Sequence, residues 1–129
     1  MLKTMRAAFV RAPFHFEVRE IPIPQVREGW ALIKVEACGI CGTDMHIASY
    51  IDHKLTPRSP TALQGFGHVV AGVVVESGAG VHNVNEGDTV VLESGSYCGV
   101  CELCRNGRSD LCNDGPNFWL NESMGFADY

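Results

Sequence analysis

Long apolar runs are missing from this 129-residue sequence. The N-terminal stretch MLKTMRAAFVRAPFHFEVRE is broken by charge every few residues, so it offers neither the apolar segment of a signal peptide nor a spanning helix. A cytoplasmic location with no membrane partner is therefore expected. Positive charge is also scarce. Ten Lys+Arg stand against fifteen Asp+Glu, for a net charge of -5, and no basic run gathers them, so nothing points to nucleic acid. Internal repeats, linkers, low-complexity tracts and long helical patterns are absent too. What remains is 46% hydrophobic and 19% charged, a globular composition rather than a disordered one. At this length one domain is the default.

The first hundred positions carry short β-type runs separated by turn residues, beginning with RAAFV (6–10) and FEVREIPIP (16–24). WALIKVEAC (30–38) alternates, with Ala31, Ile33, Val35 and Ala37 on one face and Lys34 and Glu36 on the other, which predicts a half-buried strand. HVVAGVVVESG (68–78) and GDTVVLES (87–94) predict two more strands of a barrel or sandwich. Two stretches interrupt this pattern. Residues 42–50, GTDMHIASY, lack alternation and predict a short helix capped by Thr43 or Asp44. Residues 95–125 are rich in Gly, Asn and Cys and too polar to pack a core unaided, so something other than apolar burial must order them.

Cysteines at 38, 41, 98, 101, 104 and 112 are many for an intracellular chain of this size. In a reducing compartment such clusters are more often metal ligands than disulfides. In CGVCELCRNGRSDLC, Cys98, Cys101, Cys104 and Cys112 are close enough in sequence to converge on one point. Tetrahedral zinc takes four thiolates in a closed structural shell, and such a metal would be part of folding the loop. An iron–sulfur cluster and two disulfides are the alternatives. CGIC (38–41) has redox spacing, but a thioredoxin-like motif belongs in an α/β context that this β-rich chain lacks. Cys38 reads instead as a small core residue at a strand end. His15, His53 and His82 have no ligand spacing and read as surface residues.

The order of motifs carries a resemblance. GICGTD (39–44), GHVVAGVVVE (67–76), GDTVV (87–91) and the four-cysteine segment follow one another as they do in the zinc-dependent medium-chain alcohol dehydrogenase family, and the chain resembles that family from Met5 onward. The resemblance implies a mainly β fold: a GroES-like β-barrel with a zinc-stabilised lobe over 95–125, with residues 1–129 forming the N-terminal part of the catalytic domain. It also implies a strand at GFADY (125–129). In the family a Rossmann domain holds the nicotinamide cofactor, NAD or NADP. Here Gly65, Gly67, Gly78 and Gly80 lack the third glycine and the following helix of a dinucleotide fingerprint, so no such domain is expected within these residues.

By the same resemblance Cys41 and His68 are ligands of a catalytic zinc, with a further ligand expected beyond Tyr129. Such a site keeps one position open for an alcohol. Thr43 is similar to the residue that takes the substrate proton, His46 to the one that passes it to solvent, and Asp44 to a carboxylate that orients the site. Thr43 and Asp44 also fit a helix cap, His46 an ordinary surface histidine, and His68 a satisfied core histidine. The sequence departs from the family at Val69, where Glu usually follows Gly-His. The resulting expectation is the front portion of a zinc- and NAD(P)-dependent dehydrogenase of secondary alcohols or polyols. Its partner is a small-molecule alcohol, the whole is a homo-oligomer, and the 129 residues alone are inactive. A non-catalytic zinc-stabilised barrel is the rival, and a GroES-type co-chaperonin shares only the barrel.

Overall fold

The computed structural model describes residues 3–49, 64–93, 95–115 and 125–129. The chain opens with a hairpin, β1 (Thr4–Ala12) and β2 (His15–Pro22). Along β1 the side chains of Met5, Ala7 and Phe9 are buried while Arg6 is exposed, the period-2 pattern of a strand with one face inward. The register slips between Val10 and Ala12, and this irregularity buries Val10 as well. Phe14, at the turn, adopts φ 56 and donates its N–H to Ala48 O at 2.7 Å.

β3 (Ala31–Gly39), β5 (Val69–Ser77) and β6 (Thr89–Val91) form a second antiparallel sheet in the order β3-β5-β6. β4 (Gln64–Gly65) joins the first, giving β2-β1-β4. The alternation expected along β3 does not hold to its end. Register irregularities between Leu32 and Ile33 and between Val35 and Ala37 rotate the strand, so Ala37 is exposed and Cys38 half-buried. Such bulges insert a residue without changing composition, which is why alternation alone misses them. β6 is also shorter than the run 87–94 suggests.

Residues 125–129 close the two sheets against each other. Ala127 bridges Ala7, Asp128 N–H donates to Arg6 O, and Val35 N–H donates to Asp128 O. The expected strand at GFADY is thus a single bridge that makes cross-sheet bonds.

α1 (Gly42–Ser49) packs on β1. Val10, Ile47 and Phe66 form the centre of the core, with Ala8 and Phe126 packed against them. No helix among the described residues is long and apolar enough to cross a membrane.

Candidate metal centres

α1 begins one residue after Cys41, so Thr43 and Asp44 lie within its first turn rather than capping it. Asp44 instead reaches back: its Oδ2 accepts the Cys41 N–H at 2.8 Å, satisfying one of the donors a helix start leaves open. Its Oδ1 accepts the Gly67 N–H at 3.0 Å and lies 3.5 Å from His68 Nδ1. A single carboxylate therefore ties the segment carrying Cys41 to the segment carrying His68. Asp44 is 3% exposed and His68 7%, so this polar link sits inside the fold, where each hydrogen bond is costly to lose. With Nδ1 turned to the carboxylate, Nε2 is the nitrogen available for coordination.

Cys41 is half-buried, and its Sγ lies 3.9 Å from Thr43 Oγ1. His46, one helical turn after Thr43, is exposed to solvent, and its backbone carbonyl accepts the Ser49 hydroxyl at 3.2 Å. Val69 is 52% exposed beside His68, so no carboxylate stands at this position. Cys38 is half-buried at the end of β3 rather than a core residue, and burial, and then the Asp44 charge, push its thiol above its ordinary range. His15 and His82 are exposed, as expected, and His53 lies outside the described residues.

The donor set fits a metal in part. Among the described residues, the segments carrying the Cys41 thiol and the His68 imidazole are joined through the buried Asp44 carboxylate, and they offer two donors of the kind zinc accepts, short of the three that a catalytic site needs.

Of this cluster, Gly67 stands in the Gly-His motif read from the sequence, where it fits a turn and close packing, whereas Phe126 is the residue that sequence reasoning missed. Gly67 has φ 90, and a Cβ there would come within 2.6 Å of the Phe126 ring and 2.9 Å of Cys38 Sγ. Only glycine combines that conformation with that closeness. Phe126, far away in sequence, carries no local signal of its contact with the site.

The second centre lies at the lobe. Cys98, Cys101, Cys104 and Cys112 bring their four Sγ atoms within 4.8 Å of one another, with Cys98–Cys104 at 4.0 Å and Cys101–Cys112 at 3.9 Å. Zinc bonded to four sulfurs at about 2.3 Å has sulfur–sulfur edges of about 3.8 Å, so the set is nearly the size of a coordination tetrahedron. Cys104 lies within α2 (Glu102–Arg105), Cys101 directly precedes it and Cys112 directly follows a 3-10 turn (Ser109–Leu111), and neither element buries any of its own residues. Backbone N–H groups point at sulfur: Cys98 N to Cys112 Sγ and Cys101 N to Cys98 Sγ, both 3.3 Å. The Cys98 N–H, above all, holds the Cys112 thiol down at about 7, whereas burial and the neighbouring thiols push Cys104 up to about 12. The four thiols thus hold their protons unequally, and a cation bound by all four sulfurs would displace the protons that remain.

A two-sheet barrel with a four-thiol lobe looped from it defines a GroES-like domain able to hold a metal ion. The chain belongs to the alcohol dehydrogenase GroES-like domain family, whose profile matches residues 27–129. It is 40% identical to the L-threonine 3-dehydrogenase of Bacillus velezensis over 116 residues, covering 90% of this chain and 33% of that protein. Among solved structures it resembles a zinc-binding dehydrogenase from Sinorhizobium meliloti bound to NADP, at 33% identity and a TM-score of 0.71, covering 98% of this chain and 35% of the other. It also resembles the cobalt- and zinc-bound thermostable alcohol dehydrogenase of Pyrobaculum aerophilum, at 28% identity and a TM-score of 0.80, covering 98% and 38%. The chain spans about a third of the length of the curated relatives it matches.

Proposed function

We propose that these residues form the N-terminal, catalytic-barrel portion of a zinc- and NAD(P)-dependent dehydrogenase acting on secondary alcohols or polyols. The observation that carries the reading is the Asp44 carboxylate, which bonds the Cys41 and Gly67 backbones and faces His68. Cys41 and His68 would hold a catalytic zinc, and Cys98, Cys101, Cys104 and Cys112 a structural one. The catalytic metal would supply a Lewis acid for the substrate oxygen. Asp44 keeps the His68 ring turned so that Nε2 faces the site. Thr43 Oγ1, beside Cys41, takes the substrate proton as it releases its own, and the exposed His46 on the same helix is the imidazole that would pass a proton to solvent.

The threonine relative supports the substrate class, since carbon 3 of threonine bears a secondary alcohol. A reducing, cytoplasmic setting is part of this reading, since there six thiols stay available as metal ligands rather than disulfides. A homo-oligomeric whole enzyme belongs to the same reading. The 129 residues by themselves are inactive on this account, because two donors hold a catalytic zinc loosely and their sequence carries no dinucleotide fingerprint to hold the nicotinamide within reach.

One observation favours a second reading, a zinc-stabilised barrel without catalysis: the half-exposed Val69 where the family has a carboxylate. A chimera separates the two. In it residues 1–129 replace the matching segment of the Bacillus threonine dehydrogenase, and nicotinamide reduction is measured with a panel of secondary alcohols and polyols. Turnover that disappears with Cys41→Ser or His68→Ala is expected, with a further gain from Val69→Glu. No turnover in either the Val69 or the Val69→Glu chimera contradicts the catalytic reading and favours the second.

A further inference from the structure

Residues 125–128 form a strap that touches both sheets and the segment leading into His68. Against β1, Ala8 N–H donates to Phe126 O at 2.8 Å and Asp128 N–H to Arg6 O at 2.9 Å. Against β3, Val35 N–H donates to Asp128 O at 2.9 Å. At its other end the strap holds two successive peptide units. Gly125 N–H donates to Gly67 O at 2.9 Å, and Phe126 N–H to Phe66 O at 3.2 Å. The rings of Phe126 and Phe66 lie 4.7 Å apart between centroids. Since the Gly67 N–H is bound to Asp44, the Phe66–Gly67 peptide is gripped at both ends, and the Gly67–His68 peptide is fixed through its carbonyl.

Asp128 anchors the strap. Its carboxylate accepts three hydrogen bonds from Arg6: from the backbone N–H at 2.8 Å, from Nε at 3.2 Å and from an Nη at 2.9 Å. An exposed ion pair alone contributes little. This one differs because it also satisfies a strand-edge N–H and fixes the strap's register along β1, and so fixes where Gly125 and Phe126 meet Gly67.

We propose that the strap is a positioning element for His68, with Phe126 and Asp128 as its positioning residues. By fixing the two peptide units before His68, it sets the spacing between His68 and Cys41. The consequence for metal rests on the proposed pairing of those two residues, whereas the positioning itself does not.

Asp128→Ala is the informative variant, because it removes the anchor at the surface and leaves the apolar core intact. In the 129-residue chain with its lobe zinc-loaded, the Gly67 amide should exchange with solvent faster by on the order of tenfold. The Val74 amide, bonded to Asp88 in the other sheet, and the zinc content of the lobe should not change. Cobalt(II) titrated into the same chain should give a thiolate charge-transfer band that depends on Cys41 and His68, with affinity lowered about threefold or more by Asp128→Ala. Unchanged Gly67 exchange overturns the proposal, as does equal acceleration at Val74, which would mark general loosening. Unchanged cobalt affinity at a Cys41-dependent band overturns the claim that the strap sets the pair. A cobalt band that is absent, or that survives Cys41→Ser and His68→Ala, counts against the metal pairing alone, and Gly67 exchange still decides the strap.

Discussion

The barrel and the lobe are held together by different forces. In the barrel, apolar side chains from β1, α1, β5 and Phe66 are buried, and the two buried polar side chains among the described residues, Asp44 and His68, face each other. In the lobe neither helical turn buries a residue, and four sulfurs aimed at one point take the place of a core. Apolar burial gains from every contact and survives the loss of any one, whereas a ligand shell is all or none. The barrel should therefore keep the Cys41–Asp44–His68 arrangement without metal, while the lobe should not keep its own.

The largest effect that can break this comparison is loss of one lobe ligand. Structural zinc contributes about 10–16 kcal/mol in small folded metal sites, so Cys101→Ser should abolish stoichiometric zinc in native mass spectrometry. Retention of one zinc per chain would remove the lobe as its site. In the barrel the corresponding change is Ile47→Ala, at a side chain 0% exposed. It should cost about 2–5 kcal/mol in denaturant unfolding while the lobe keeps its metal. A parallel loss of zinc would mean that the two regions fold as one.

Acidification should act on the lobe next. The Cys112 thiol lies at about 7 in the fold against an ordinary 9.0. A lowered value means its contribution is present above 9.0 and is lost as pH falls through about 7. Protons compete for the same sulfurs, so zinc affinity should fall steeply from pH 8 to 6, read by competition with a chromophoric chelator. A flat profile across that window contradicts a thiolate shell. Zinc added near pH 8 should also release protons, since Cys104, pushed up to about 12, still carries one. The smallest effect is expected at the surface cluster, where Arg19 and Arg11 meet Glu17 at 2.6 and 3.5 Å. Arg19→Ala should leave the melting temperature unchanged within error.

The two regions were unequally legible in the sequence. The lobe was plain, because ligand spacing is local and the residue types name their chemistry. Most barrel strands were legible from their apolar runs. The bulges in β3 were not, since shifting the register at Val35/Ala37 leaves the composition alone. Thr43 and Asp44 were expected to cap α1, yet the helix starts at Gly42, and Asp44 satisfies Cys41 from inside the first turn. The grip on Gly67 by Phe126 depends on contacts across the whole chain, which no window of sequence contains.

Barrel packing should be enough to build the Cys41–Asp44–His68 arrangement, whereas the lobe should need its metal. Amide exchange before and after zinc removal with a strong chelator tests both halves in one sample. The lobe amides of Arg105, Asn106 and Cys112, bonded to Cys101 O, Glu102 O and Ser109 O, should lose their protection. The amides of Cys41 and Gly67, bonded to Asp44, should keep theirs. Protection that vanishes at all five amides together, or that persists in the lobe without metal, would contradict this expectation.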